Sequence, residues 1–371
     1  MKISSLGLVN FRSHELLQLE FSAGATSIIG RNGLGKTNIV EAIHYSATLG
    51  SHRVAQDLPL IRNESDSAFI NAVAQKHERQ ATIAITINRD KPNVVELNGA
   101  AVRRPRDVIG VIQVVIFSPE DLDLVKNEPA VRRRFLDEFA MLQSPRLAEV
   151  KQDYERALKQ RNSLLKSASR RALTETARNT LVAWDEQLVK YGADLVLARL
   201  KATEKLLPHI TEFGNIISGT TEPIVANYQS AWLTDETQDL ENIAQQLRLA
   251  LTERHTEEVD RGLTLSGPHR DDLALELAGM PVRNYASHGQ SWSVAIALRM
   301  STFAVLREHD SDPILILDDV FAELDAKRRG RLIETISDVE QTIITVADEQ
   351  DVPEKFESVH YWLADGAAHV N

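Results

Sequence analysis

Residues 30–37 read Gly30-Arg31-Asn32-Gly33-Leu34-Gly35-Lys36-Thr37, which matches the pattern of a phosphate-binding loop in full. The flanks agree: Thr26 to Ile29 forms a short strand before the loop, and Asn38 to Ser46 (NIVEAIHYS) a helix after it. Glycines let backbone N–H groups converge on phosphate oxygens with no Cβ in the way. The start of the helix adds partial positive charge. All eight residues are therefore candidate ATP-binding residues. Lys36 is expected to reach the β- and γ-phosphates as a catalytic group, and Thr37 to bind Mg²⁺.

A second stretch, Pro313-Ile314-Leu315-Ile316-Leu317-Asp318-Asp319, is an apolar strand that ends in two carboxylates. Unpaired charge at the end of a buried strand is costly without a purpose. Asp318 fits a Mg²⁺ ligand, directly or through water. Asp319 stands where a base would polarise the attacking water, or where it would cap the helix that follows. A third stretch, Tyr285-Ala286-Ser287-His288-Gly289-Gln290-Ser291, precedes an apolar helix. It reads either as a helix cap or as a second anion-facing helix start.

The rest of the chain arranges itself around these motifs. Ile3 to Val9 and Leu16 to Phe21 have strand patterns, residues 82–97 read as a hairpin, and Gly110 to Phe117 as a buried strand. Ser118-Pro119-Glu120-Asp121 is a helix start. Residues 119–215 then lack strand signals, and an interruption near Ser167–Ser169 suggests two long antiparallel helices. Residues 172–206 alone would span about 50 Å. Leu181, Trp184, Leu188 and Tyr191 make a stripe that packs on a neighbouring helix. Strand signals return after 225. A helix is expected over 285–306, a strand over 313–317, a helix over 325–338 and a last strand over 341–346. The expected architecture is an α/β head built from both chain ends, residues 1–118 and 226–371, with an inserted α-helical lobe over 119–225.

Composition narrows the setting. The chain of 371 residues has no cysteine, which excludes disulfides, thiolate metal sites and cysteine nucleophiles. The N-terminus carries no signal-peptide core, and no apolar run approaches the about 18 residues of a membrane span, so a cytoplasmic protein is expected. A net charge of −11 argues against indiscriminate coating of nucleic acid. Local basic clusters stand out nonetheless: Arg103, Arg104 and Arg106; Arg132, Arg133 and Arg134; Lys166, Arg170 and Arg171; Lys327, Arg328, Arg329 and Arg331.

Ser287 lies 31 residues before Asp318, with the phosphate loop far upstream. That order resembles the ABC-type ATPases, whose signature contains Ser-Gly-Gly-Gln; here it reads Ser287-His288-Gly289-Gln290. Ala322-Glu323-Leu324-Asp325 matches their D-loop. Within that superfamily the chain resembles the RecF family. The resemblance rests on Asn10-Phe11-Arg12, Glu41-Ala42-Ile43, Ser51-His52-Arg53, Phe117-Ser118-Pro119-Glu120-Asp121-Leu122 and Arg132-Arg133-Arg134-Phe135-Leu136-Asp137. Lys159-Gln160-Arg161-Asn162, Gly267-Pro268-His269-Arg270-Asp271-Asp272-Leu273 and Leu317-Asp318-Asp319-Val320 complete it.

The resemblance implies an ATP sandwich homodimer in which Ser287, Gly289 and Gln290 complete the site of the opposite subunit. It also implies a DNA-binding ATPase of recombinational repair that recognises gapped DNA and, with RecO and RecR, helps load RecA on single strands. Arg132, Arg133 and Arg134 are the candidate DNA contacts. Two departures are visible. His288 stands in the signature where many relatives have Gln or Gly. Asp319 replaces the Glu of most ABC ATPases, which suits slow turnover or a nucleotide-gated binding module with negligible turnover. The terminal strand, Ile343 to Asp348, lacks the switch histidine of transporter ATPases. Gln113 is open to two readings, a Q-loop residue or a strand residue.

Overall fold

The structure, a computed structural model, describes residues 1–168, 174–234, 238–308, 312–352, 356–364 and 367–370. Arg170, Arg171 and Ser169 lie outside them. Two compact units divide the chain: residues 1–125, 209–223 and 285–371 form the first, and 126–208 with 224–284 the second.

In the first unit β1 (Lys2–Phe11) and β2 (His14–Glu20) form an antiparallel pair, followed by β3 (Gly24–Ile29) and α1 (Lys36–Thr48). Next come β4 (Ser67–Lys76), β5 (Arg79–Asn88), β6 (Val94–Leu97), β7 (Ala100–Ala101), β8 (Val114–Phe117) and α2 (Leu122–Lys126). The second unit contributes α3 (Pro129–Gln143), α4 (Leu147–Ala168), most of α5 (Glu175–Ser218), β9 (Ile224–Gln229), α6 (Leu240–Glu253), α7 (His255–Arg261), β10 (Asp272–Leu277), β11 (Met280–Pro281) and most of α8 (Val282–Tyr285). The chain then returns to the first unit with α9 (His288–Arg307), β12 (Ile314–Asp318), α10 (Ala326–Ile336), β13 (Gln341–Val346), β14 (Ser358–Ala364) and β15 (Ala367–Val370).

The first unit has two six-stranded sheets. One, in the order β2-β1-β4-β5-β6-β7, is antiparallel at every pairing, and along β4 the buried residues Ala68, Ile70, Ala72 and Ala74 alternate with residues that keep some exposure, as in a sheet with one face on the core. The other runs β15-β14-β3-β13-β12-β8 and is parallel except at β15. Its central strands β12 and β13 are buried at every residue, as a parallel sheet covered on both faces requires. Side chains of both sheets and of α1 share one apolar core, from Ile3 and Leu6 through Ile39 and Ile43 to Ile314 and Ile343. α1, whose residues 39–47 are all buried, is thereby fixed at the end that bears the phosphate loop.

The hairpin expected over 82–97 is present as β5–β6, with Ile85 opposite Val95. Three expectations change. Residues 119–215 hold more than two helices. Pro129 starts α3 at its first turn, and Ser144 ends it just before Pro145, because the residue before a proline is pushed out of the helical region. The stripe on α5 is half as buried as expected: Leu181 and Leu188 are buried, Trp184 and Tyr191 partly exposed. Residues 226–284 cluster with the second unit, where β9 and β10 pair antiparallel, so the inserted part carries a small sheet as well as helices.

The second unit is pinned by buried arginines. Arg161, fully buried, pairs with Glu258 and Asp185, each at 2.6 Å. Arg199 forks Asp137 at 2.7 and 3.1 Å. Arg132 forks Asp272 with two bonds of 2.8 Å and donates to the Asn127 carbonyl at 2.9 Å.

Candidate functional site

β3 and β12 flank β13, and the register sets Ile28 opposite Thr345 and Thr345 opposite Asp318. The phosphate loop leaves β3 one residue after Ile28–Ile29, so it emerges beside the end of β12. The result is measurable: Thr37 Oγ1 donates to Asp318 Oδ1 at 3.2 Å across 281 positions of sequence. Thr345 Oγ1 donates to the same carboxylate oxygen at 2.6 Å.

The loop backbone has the shape its glycines predict. Gly33 and Gly35 have φ of 90° and 95°, where a side chain is strained. A Cβ on Gly35 would also lie 2.5 Å from Ser13 Oγ and 2.6 Å from His14 Nε2. The turn between β1 and β2 thus supports the loop from below. Lys36 Nζ donates to the Gly30 carbonyl at 2.7 Å and to Asn32 Oδ1 at 3.3 Å. Arg31, Asn32 and Gly33 are exposed, and Leu34 packs against the core.

Burial pushes the Asp318 carboxyl up to about 6, against the hydrogen bonds from Thr345 and Thr37, while Glu120 and Asp319 add repulsion. An oxygen cluster of Thr37 and Asp318, desolvated and crowded by carboxylates, is a donor set that suits a hard divalent cation. Asp319 has φ 56° and makes no side-chain cap to the short 3₁₀ turn that follows. Its backbone N–H is held by Thr345, whose Oγ1 accepts at 2.9 Å. A non-glycine residue in this region is strained, and such strain gathers at functional sites. The helix-cap reading of Asp319 is therefore not what its side chain does.

Ser287 caps α9. Its Oγ accepts from Gln290 N at 3.2 Å, while Gln290 Oε1 accepts from Ser287 N at 2.9 Å. Both side chains are engaged in this capping box. Gly289 lies under Arg328, where a Cβ would stand 2.9 Å from the guanidinium. Arg328 also donates to Ser293 Oγ at 3.1 Å and pairs with Asp325, which caps α10. His288 accepts from Trp292 Nε1 at 3.0 Å.

Sequence reasoning did not find the network behind the loop. Glu41 on α1, fully buried, is gripped by Arg12 and by the Ser51 hydroxyl. Arg53 lies 3.7 Å from Glu41 and 3.5 Å from Glu120. Arg12, Glu41, Ser51, Arg53 and Glu120 all stand in stretches singled out in the sequence, so the signal was there; their meeting at one point was not. Gln113 settles differently. It precedes β8, and its carbonyl accepts from Ile314 N at 2.9 Å, at the start of β12. Strands β8, β12, β13 and β3 are parallel, so Gln113 sits at the sheet edge opposite the phosphate loop and is neither a Q-loop residue nor inside the strand.

Of the three candidate DNA contacts, Arg132 is buried and spent on Asp272, which removes it from the surface. Arg134 pairs with Glu138 at 2.7 Å. Arg133 donates to the Asp271 carbonyl at 2.8 Å.

The phosphate loop, the carboxylate-tipped neighbouring strand and the capped α9 on a parallel sheet define an ABC-type P-loop ATPase. The chain matches the RecF/RecN/SMC N-terminal domain family over residues 2–361. It belongs to that family and, within it, to RecF. The DNA replication and repair protein RecF of Frankia alni is 44% identical over 99% of this chain and 98% of its own length. The protein of that name from Streptomyces avermitilis is 42% identical over 99% of each. A solved structure of the recombination mediator protein RecF-ATPrS in the RecFOR pathway superposes with a TM-score of 0.91 at 27% identity, covering 100% of this chain and 98% of that one. An SMC head domain from Pyrococcus furiosus shares the fold, with a TM-score of 0.55 at 17% identity over 100% and 95% of the two chains. Among the described residues no helix is long and apolar enough to cross a membrane.

Proposed function

We propose that this chain is an ATP-dependent DNA-binding protein of recombinational repair, which dimerises on duplex or gapped DNA when it holds ATP. The observation that carries the reading is the approach of Thr37 to Asp318 at 3.2 Å. Two distant segments meet there with a hydroxyl and a carboxylate of the kind that ligate Mg²⁺ together with water and phosphate oxygens, beside a loop built for phosphates. Gly30 to Thr37 would cradle ATP, Lys36 would neutralise the β- and γ-phosphates, and Thr37 and Asp318 would hold Mg²⁺. When bound, the ion supplies charge to the phosphate oxygens. Asp319 would orient the attacking water as base. Ser287, Gly289 and Gln290 would face the nucleotide of a second copy. The relatives named for replication and repair, and the RecFOR-pathway structure, support a recombination mediator that works with RecO and RecR in loading RecA.

A nucleotide-gated binding module with negligible turnover is the second reading. It is favoured by Asp319, whose short carboxylate on a left-handed backbone stands where most ABC ATPases place Glu. Sizing by light scattering, with and without Mg²⁺ and ATP and then with gapped DNA, tests the reading. A monomer in all conditions would overturn it. Turnover with and without DNA then separates slow ATPase from switch.

A further inference from the structure

The Gly267-to-Leu273 motif belongs to the second unit and takes no part in the nucleotide site. Its loop and helices α3, α4 and α5 enclose a cavity of about 190 Å³. Arg133, Arg134, Lys151 and Arg199 line it, against the carboxylates of Asp137 and Glu155. Most of this charge is committed. Arg199 forks Asp137 and donates to the Pro268 carbonyl at 2.6 Å. Lys151 shares Asp137 at 3.1 Å, and Arg134 pairs with Glu138.

Arg133 is different. Among the described residues, its only hydrogen bond goes to the backbone carbonyl of Asp271, and no carboxylate of those residues lies within ion-pair distance of it. Burial presses its pKa down, and Arg199 beside it adds to that; Asp272, Asp271 and Asp137 only partly offset them. A half-buried guanidinium held by one neutral oxygen is costly to keep. It retains four of its five N–H donors, in the planar fork that matches an oxyanion. Lys151 retains donors too, since an ammonium has three and one faces Asp137.

The walls are fixed before any ligand arrives. His269 Nε2 faces the Thr264 carbonyl at 3.2 Å, so that nitrogen carries the proton, and Nδ1 accepts from the Tyr154 hydroxyl at 2.7 Å. Gly267 has φ 130°, and a Cβ there would stand 2.7 Å from the Tyr154 hydroxyl. Only glycine lets the loop close on that ring. The rim reaches solvent at Arg134 and Glu155, both exposed. The volume is below the about 300 Å³ at which sites for whole small molecules begin, so it suits one tetrahedral anion and not a nucleoside.

We propose that this cavity binds a single phosphate group, with Arg133 and Lys151 as its ligands. The phosphate comes from a DNA strand or from a free phosphate ester; the first source rests on the DNA-binding reading above. Two measurements on the full chain separate them, with Arg133→Gln, Lys151→Gln and Arg133→Lys, all checked for a native thermal melt. In the first, a blunt duplex is titrated over a salt series. Loss of one phosphate contact lowers affinity about tenfold and the salt slope by about one, and Arg133→Lys recovers the slope. In the second, inorganic phosphate is titrated and followed by ³¹P line width. Broadening by the wild type that Arg133→Gln abolishes, with DNA affinity unchanged, assigns the cavity to a free phosphate ester. A wild type that binds no duplex at any salt sinks the DNA reading alone, and the ³¹P titration still decides the cavity. Unchanged duplex affinity, salt slope and ³¹P line width in both glutamine variants would overturn the proposal.

Discussion

Arg12 grips both carboxylate oxygens of Glu41, through Nε at 2.8 Å and a terminal nitrogen at 2.6 Å, and Glu41 exposes no surface. The pair ties the end of β1 to the second turn of α1, directly behind the phosphate loop. Removing one partner of a buried pair costs about 3–5 kcal/mol. Arg12 keeps some exposure, so Glu41→Gln is expected to lose about 2–3 kcal/mol in urea unfolding. A double-mutant cycle with Arg12→Gln isolates the coupling. A loss within about 0.5 kcal/mol, the range of ordinary surface changes, would show that the pair is solvated and idle.

Thr345 donates to Asp318 and accepts from the Asp319 backbone, so one hydroxyl aims both acids. Thr345→Val keeps the shape and removes both bonds. It is expected to raise the Mg²⁺ concentration needed for half-maximal ATP hydrolysis at least severalfold, while Thr345→Ser restores it. A purely structural hydroxyl would lower the melting temperature and leave the Mg²⁺ dependence where it was.

Lys36→Ala and Asp319→Asn are expected to separate binding from chemistry. The first removes the charge that meets the β- and γ-phosphates and is expected to abolish ATP-dependent function. The second keeps ATP binding and slows hydrolysis, prolonging the ATP-bound dimer. Tight binding and normal turnover in Lys36→Ala would dismiss the phosphate-loop assignment, and wild-type hydrolysis in Asp319→Asn would dismiss the base.

Burial pushes His269 down to about 4, the Thr264 carbonyl opposing, while an unfolded histidine takes its proton near 6.5. Between those values the unfolded chain binds more protons, so stability rises with pH. Going from pH 7.5 to pH 5 is expected to cost about 2 kcal/mol through this one residue. His269→Gln keeps the polar contacts and removes that part of the slope. Equal slopes in both proteins, followed by helix signal in urea, would mean His269 protonates freely in the fold.

The nucleotide loop was legible because its chemistry is local: eight consecutive residues carry the glycines, the lysine and the threonine. Asp318 was legible for a similar reason, as a charge at the end of a run too apolar to end that way. Thr345 was not. Its role comes from register, since it lies on the strand that separates β3 from β12, and strand order is not written in any one segment. Arg132 shows the opposite failure. Three adjacent arginines read as one basic face, yet a helix turns by about 100° per residue, so Arg132 points inward to Asp272 while Arg134 is exposed. The breaks in the helical region were marked by Pro129 and Pro145, and reading those prolines as boundaries would have recovered them. The place of 226–284 was decided by tertiary packing that no local pattern records.

Ser287 offers the sharpest test of assembly. Its hydroxyl accepts from the Gln290 N–H while the Gln290 side chain accepts from the Ser287 N–H, a capping box that holds the first turn of α9 in place. Arg328, drawn over Gly289 and tied to Asp325, places a cation at the same spot. If this surface meets the nucleotide of a second copy, a long side chain at 287 blocks the approach without touching the chain's own phosphate loop. Ser287→Arg is therefore expected to bind ATP as a monomer and fail to dimerise. Ser287→Ala, which loses only the cap, costs about 1 kcal/mol of stability and serves as the control for local damage. Two heads on one duplex double the phosphate contacts, and tethering by the dimer raises affinity through effective concentration. DNA affinity is thus expected to depend on ATP in the wild type. In Ser287→Arg it falls, with a smaller salt slope, because each head binds alone. Light scattering gives the mass, and a duplex titration over a salt series, with and without ATP, gives the slope. Equal affinity and equal slope in every condition, for wild type and variant alike, would show that the dimer is not the form that binds DNA.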